Sequence, residues 1–324
     1  MRKYIGIDIS KQTFDASFPD GEWEKYANNP GGFRRFYKRL LAVDSLAGVL
    51  MEASGPYYLP LAGWLYEQGA PVFVENPLKI RRFSQMQFNR TKTDRKDAQV
   101  IREYAAKMGS ELRPWRPRTQ ALKSLSQWHT AAELVGKQYN QARNQLEAMR
   151  SSGYIDAGLE KMLECSLEAL TGQLEQCHKN IRELAEREYG DTFRRLTSIV
   201  GIGAKTAALL IAVSDNFEKF EHHRQLIAYV GLSPRIYQSG SSVNGRGQIC
   251  KMGHSGVRKL LFMCALSAQK HNPGCRQMAQ RLAGRGKHKM VILIAIANKL
   301  LKQAFSIVKN KTMYQKDYQP KPCF

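Results

Sequence analysis

Four carboxylates stand out as residues whose types and spacing suit chemistry. Asp94 and Asp97 lie in Thr91-Lys-Thr-Asp-Arg-Lys-Asp, which runs into Ala98-Gln-Val-Ile-Arg-Glu-Tyr-Ala-Ala-Lys, a helical pattern with Thr93 as N-cap. Three residues apart on a helix, the two acids share a face, with Cβ atoms about 5–6 Å apart. Like charges that close repel and raise a pKa unless a cation neutralises them. Acids in a first helical turn also complement the helix dipole, and two such residues alone decide nothing. Asp8, in Tyr4-Ile-Gly-Ile-Asp-Ile-Ser, and Glu52, in Gly48-Val-Leu-Met-Glu-Ala-Ser-Gly, add two more acids at the ends of apolar, strand-like runs. Charge is normally avoided there. A hard divalent cation takes several oxygen ligands, and two such ions can clamp the attacking and leaving oxygens of a phosphodiester. Asp8, Glu52, Asp94 and Asp97 suit that task.

The elements that must position these acids follow from the pattern around them. Residues 4–9, 13–18 and 24–28 predict an antiparallel meander that Pro30-Gly-Gly ends. Phe33–Ala42 predicts an amphipathic helix, Leu46–Glu52 a buried strand, Leu59–Glu67 a helix and Pro71–Glu75 a further strand. Strands alternating with helices imply an α/β layer, and acids at these stations match a ribonuclease-H-like order. Pro77–Arg90, basic with Phe83, Met86 and Phe88 interleaved, is expected as a substrate-facing loop or a plain connection.

Pro114-Trp-Arg-Pro-Arg is expected as a linker. Beyond it apolar residues recur every three or four positions from Leu122 to Met149 and again from Leu159 to Leu184. That predicts two long helices forming a hairpin, packed on itself or on a partner chain. Gly201-Ile-Gly followed by Ala204-Lys-Thr-Ala-Ala fits a helix-hairpin-helix, whose backbone N–H groups hold a phosphate without reading sequence; Lys205 would assist. The loop around Ser239, Ser241 and Ser242 offers hydroxyl nucleophiles, with Tyr237 as a rival. Arg235, Arg246 and Lys251 stand near it, and Arg258 and Lys259 open a basic helix. Cys250, His254, His271 and Cys275 are too irregularly spaced to favour zinc.

With 324 residues the chain can hold two or three domains, and it carries 50 Lys and Arg against 28 Asp and Glu, a net +22. The excess is uneven: +5 over residues 1–115, zero over 116–190 and +17 over 191–324. From His222 to Lys316 there is no acid but 17 basic residues, a distribution that points to a polyanion. No uninterrupted apolar run reaches a membrane span, no secretory signal opens the chain, and Cys165, Cys177, Cys250, Cys264, Cys275 and Cys323 form no C-x-x-C pair. A cytoplasmic protein with reduced thiols and no membrane partner is expected.

Tyr4-Ile-Gly-Ile-Asp8, Met51-Glu-Ala-Ser-Gly, Asn76-Pro and Lys92-Thr-Asp-Arg-Lys-Asp-Ala resemble the N-terminal domain of the DEDD transposases of the insertion-sequence one-ten family, relatives of the pilin-gene invertases. Ile199-Val-Gly-Ile-Gly, Ala228-Tyr-Val-Gly-Leu-Ser-Pro-Arg, Gln238-Ser-Gly-Ser-Ser and Gly253-His…Val257-Arg-Lys-Leu-Leu resemble its second domain. The resemblance implies a RuvC-like catalytic domain (1–113) whose carboxylate quartet binds Mg²⁺ or Mn²⁺. It implies a coiled-coil hairpin (114–190) and a mainly helical, basic domain (191–324) in which Ser239 is the nucleophile. It also implies DNA recombination guided by a non-coding bridge RNA within a homo-oligomer. A junction-resolving nuclease would use the same four acids without a serine. An actin-like or sugar-kinase ATPase would need a second glycine-rich phosphate loop, which the sequence lacks.

Overall fold

The computed structural model describes residues 2–87, 93–235, 238–239, 243–244 and 248–315. The chain divides into two compact units, Met1–Pro117 and Arg118–Phe324.

In the first unit, five strands form one sheet in the order β3-β2-β1-β4-β5: β1 (Lys3–Ile9), β2 (Thr13–Ser17), β3 (Trp23–Ala27), β4 (Leu46–Glu52) and β5 (Val72–Glu75). The first three are antiparallel; β1–β4 and β4–β5 are parallel. Alternation along each strand gives the sheet two apolar faces. Ile5, Ile7, Phe14, Ala16, Val49 and Met51 pack with α1 (Pro30–Leu41) and α2 (Leu59–Glu67). Tyr4 and Leu50 point the other way, onto α3 (Pro77–Met86) and α4 (Asp94–Met108) through Ile80, Phe83, Ile101 and Tyr104.

Two expectations need correction. The segment from Pro77 is a helix, not a loop, because Asn76 caps it (Oδ1 accepts from Leu78 N, 2.8 Å) and Ile80 and Phe83 bury one face. Likewise Pro30 opens α1 rather than merely ending the meander, with Asn29 as N-cap. The linker after α4 is held to the sheet, since Trp115 N donates to Val72 O (2.8 Å).

The second unit is helical. α5 (Gln120–Ser151) and α6 (Ala157–Ser198) pack side by side. α6 runs beyond the predicted seam, through a break in helical geometry at Tyr189. Leu122, Leu125, Leu146, Cys177 and Ile181 are buried, whereas Leu163, Leu167 and Leu170 are only half-covered. After the turn at Gly201 come α7 (Ala204–Ser214) and α8 (His223–Val230). Two short ladders follow, β6 (Pro234–Arg235) with β9 (Gln248–Ile249) and β7 (Gln238–Ser239) with β8 (Val243–Asn244). α9 (Ser255–His271), α10 (Pro273–Gly284) and α11 (Lys289–Lys309) complete the unit. Although no unbroken apolar run in the sequence is that long, α11 is long and apolar enough to cross a membrane; half of its apolar window is buried. Ile292, Ile296, Leu300 and Ala304 place it in the unit's core.

Candidate active site

Gly6 fixes the geometry around Asp8. A Cβ on Gly6 would lie 2.2 Å from Arg102 N and 2.4 Å from Ala98 O, so the backbone of α4 rests directly on β1 there. Asp8 lies two residues along the same strand and therefore on the same face, toward α4. Thr93 caps that helix (Lys96 N to Oγ1, 3.2 Å), which places Asp94 and Asp97 in its first turn. Register supplies the rest. Ile7 pairs with Met51, so Asp8 and Glu52 are neighbours at the C-terminal ends of parallel strands.

The same register exposes a feature that sequence reasoning missed. Asp8 pairs with Asp15, Asp15 with Lys25, and Glu52 with Glu75. Glu75, Glu52, Asp8, Asp15 and Lys25 therefore form one row across all five strands. Like charges directly opposite one another destabilise a sheet. Asp15 is 4% exposed and its Oδ1 has no hydrogen-bond partner. Lys25 Nζ stands 3.7 Å from Asp15 and 3.7 Å from Asp94, a cation between two of the acids. Glu75 is held by Lys79 (2.9 Å) and Tyr104 (3.3 Å). The available signal was the alternation of β2, which puts Asp15 out of phase with Phe14 and Ala16.

Electrostatics tie the predicted quartet together. The Asp8 carboxyl is pushed up to about 6, first by burial and then by Asp97, Glu52, Asp94 and Asp15 in turn. Asp15 is raised too, by burial first, against the opposing pull of Lys25. Among the described residues no three His, Cys, Asp or Glu side chains stand together as they would around an ion. Two of the quartet are engaged elsewhere: Ser54 Oγ donates to Glu52 Oε1 at 2.6 Å, and Asp94 is 68% exposed beside Lys25. The donor set, four hard carboxylates of which Asp8 is raised by burial and by the other three, fits a divalent cation.

The basic candidates scatter over the second unit. Lys205 is in the first turn of α7, whose N-cap is Gly203. It lines a cleft of about 560 Å³ with Lys259 and with His129, which burial pushes down to about 4. Gly201 takes φ +111°, and a Cβ there would meet the Ala268 methyl at 2.7 Å, so that turn lies against α9. Arg258 is tethered within the fold, since Nη1 donates to Val230 O at 2.8 Å. Arg235 and Lys251 are exposed. Ser239 sits in β7, of which only the backbone is described; Tyr237, Ser241, Ser242 and Arg246 lie outside the described residues, as do Phe88 and Arg90. His254 caps α9 through Nδ1 (Val257 N, 3.3 Å), and Cys275 is buried in α10.

Two family models match the chain: a transposase model of the DEDD type named for IS110 over residues 5–151, and one described as transposase IS116/IS110/IS902 family over residues 193–280. The chain is 31% identical over 325 residues to the pilin gene-inverting protein of Moraxella bovis, covering 97% of this chain and 98% of that protein. The corresponding protein of Moraxella lacunata is 30% identical over 322 residues, with 97% and 98% covered. A transposase for insertion sequence element IS1328 from Yersinia enterocolitica is 27% identical over 344 residues, with 96% and 98% covered. With both halves matched and relatives aligned end to end, the chain belongs to the IS110 family of transposases.

Proposed function

We propose that this chain cuts and rejoins DNA strands using divalent cations at Asp8, Glu52, Asp94 and Asp97 and a nucleophilic serine, Ser239. The observation that carries the reading is the placement of Asp8 beside Glu52 at the ends of parallel strands, with the α4 that bears Asp94 and Asp97 resting on β1, where burial first and then these acids raise the Asp8 carboxyl. Such mutual repulsion has a chemical use where a cation relieves it. Mg²⁺ or Mn²⁺ bound there would neutralise charge developing on a phosphodiester. The chain's own part is to hold the donor oxygens: β1 and β4 present Asp8 and Glu52, and the capped first turn of α4 presents Asp94 and Asp97. In this reading the first unit is RuvC-like.

Ser239 Oγ, giving up its proton, would form a bond to phosphorus while the bond from phosphorus to the strand's bridging oxygen breaks; that oxygen takes up a proton and leaves as a hydroxyl, and a serine–DNA phosphodiester results. A serine hydroxyl needs activation to attack, and no His or acid stands in its loop, so activation would have to come from the metal-bound acids of a first unit, in the same chain or in a second copy. The half-covered seam of α5 and α6 suits association with a second copy, the long helical pair then acting as a coiled coil. A cytoplasmic, bridge-RNA-guided oligomer completes the reading, supported by the family resemblance and the acid-free, basic C-terminal stretch.

The test compares Asp97→Asn and Ser239→Ala with the unaltered protein on DNA carrying the element's ends. Asp97→Asn is expected to bind DNA but lose strand cleavage by about 10³-fold or more. Ser239→Ala is expected to bind and form no covalent adduct. Full cleavage in EDTA overturns the metal assignment. An adduct mapped to Tyr237 or Ser241 overturns the serine assignment, and cleavage without any adduct indicates a nuclease.

A further inference from the structure

The charged row across the first sheet contains one cation, Lys25, and its place is fixed from two sides. Register sets it opposite Asp15 on β2, and Asp15 opposite Asp8 on β1, so all three project from one face of the sheet. That is the face on which α4 rests, as the close approach at Gly6 shows. The first turn of α4 meets β3 there: the Arg95 guanidinium stands 6.0 Å from the centre of the Trp23 ring, and Trp23 is two residues from Lys25 on the same strand. Lys25 Nζ lies between strand and helix, 3.7 Å from Asp15 Oδ2 and 3.7 Å from Asp94 Oδ2.

The two contacts differ in character. The Asp15 side chain is 5% exposed, and an acid so buried is normally paired. The Asp94 side chain is largely exposed, and an ion pair that open to water gains little as a tether. The other cations of that helical turn do not take the place of Lys25, since Arg95 lies over Trp23 and Lys96 Nζ reaches Gln99 at 3.5 Å. Lys25 therefore acts on the neighbouring acids chiefly through its charge. Without an ion it offsets the repulsion within the row, and an arriving divalent ion is repelled by it. Both effects oppose metal binding, the first by stabilising the metal-free fold and the second by raising the energy of the loaded one. Tethering of Asp94, which acts in the other direction, is the smallest of the three.

We propose that Lys25 is the built-in counter-ion of the carboxylate site, a positioning residue that pairs with Asp94 while no metal is bound and weakens the site's hold on a divalent cation. Its role rests on divalent binding by Asp8, Glu52, Asp94 and Asp97, the reading proposed above. Ion loading then favours conditions in which a phosphodiester supplies further oxygen ligands and compensating negative charge.

The experiment titrates Mn²⁺ into the full-length protein without nucleic acid, following the free ion by electron paramagnetic resonance. The part of the binding that Asp97→Asn removes is assigned to the carboxylate site. Lys25 is half-exposed on an edge strand, and Lys25→Met keeps its aliphatic stem while removing the charge. This variant is expected to lower the Mn²⁺ dissociation constant of that site by about tenfold. Lys25→Arg keeps the charge and is expected to stay within about twofold of the unaltered protein. Thermal unfolding supplies a second readout. In EDTA the Lys25→Met midpoint is expected to fall; in saturating Mn²⁺ it should return to that of the unaltered chain or above, because tighter binding stabilises the folded state by mass action. A plain cross-strand salt bridge would give the same fall with and without Mn²⁺ and an unchanged dissociation constant, a result that overturns the proposal. Weaker Mn²⁺ binding by Lys25→Met overturns it as well, since tethering would then outweigh charge. Failure of Asp97→Asn to remove any Mn²⁺ binding overturns the metal reading and the role of Lys25 together, whereas site binding that Lys25→Met leaves untouched overturns the role of Lys25 alone.

Discussion

The Asp8 carboxyl, pushed up to about 6, holds its proton over a range in which an exposed aspartate has lost it. Because its folded-state pKa lies above the unfolded value of 3.8, Asp8 contributes stability that is fully present below about pH 4 and lost as pH rises through 6. At neutral pH the charged row across the sheet therefore works against folding. Asp8→Asn removes that repulsion without changing side-chain volume. In EDTA at pH 7 it is expected to stabilise the first unit by about 1–2 kcal/mol, the partial solvation of the site keeping the gain modest. At pH 4 the gain should vanish. Adding Mg²⁺ should raise the unfolding midpoint of the unaltered protein more than that of the variant, by mass action on the folded state. Urea unfolding at the two pH values checks this, and a variant less stable at pH 7 would refute the repulsive row.

Three Asn-Pro pairs account for most of what the sequence did not reveal about the elements. Asn29-Pro30, Asn76-Pro77 and Asn272-Pro273 each open a helix, with the asparagine as N-cap and the proline in the first turn. The expectation placed the end of a meander where α1 starts and a loop or plain connection where α3 lies, and named no helix at α10. Proline tolerates the first helical position because its missing N–H would have no partner there. By contrast β4, Leu46–Glu52, and α2, Leu59–Glu67, were legible to the residue, since apolar runs and glycines bound them. Asp8 and Glu52 were legible as candidates because acids rarely end apolar strands, and Asp94 and Asp97 because three residues apart in a helix they share a face. Asp15 and Lys25 were not, because their place beside Asp8 depends on cross-strand register, which no local pattern encodes. Asn272 is the most demanding of the three caps. It is fully buried, accepts from Cys275 N (3.2 Å), donates to Val200 O (3.1 Å) and meets the Tyr314 hydroxyl (3.0 Å). Asn272→Ala loses the cap and strands the Val200 carbonyl, so it is expected to cost the second unit about 3 kcal/mol. Asn29→Ala, at an exposed cap, should cost about 1 kcal/mol in the first unit. Equal effects of the two substitutions would show that burial of the cap carries no weight.

Across the whole chain, charge divides as chemistry does. The carboxylates of the proposed reaction lie in the first unit, while the stretch from His222 to Lys316 carries 17 cations and no acid. Local ion pairs do not absorb this excess, because the second unit's described salt bridges lie outside that stretch, from Arg118–Asp215 to Arg194–Asp191. Unpaired cations on a polyanion release condensed counterions on binding, each phosphate neutralised adding roughly −0.9 to the log–log salt slope on duplex DNA. If about a third of the 17 engage phosphates, the slope is expected near −5. Association with an unrelated duplex should then be nearly as salt-sensitive as with the element's own ends, since phosphate contacts position a protein without reading sequence. Titrating both duplexes from low to high salt provides the measurement. A slope shallower than about −2 would mean that the basic stretch serves something other than the phosphate backbone. A steep slope confined to the element's ends would mean that base contacts, rather than charge, organise the grip.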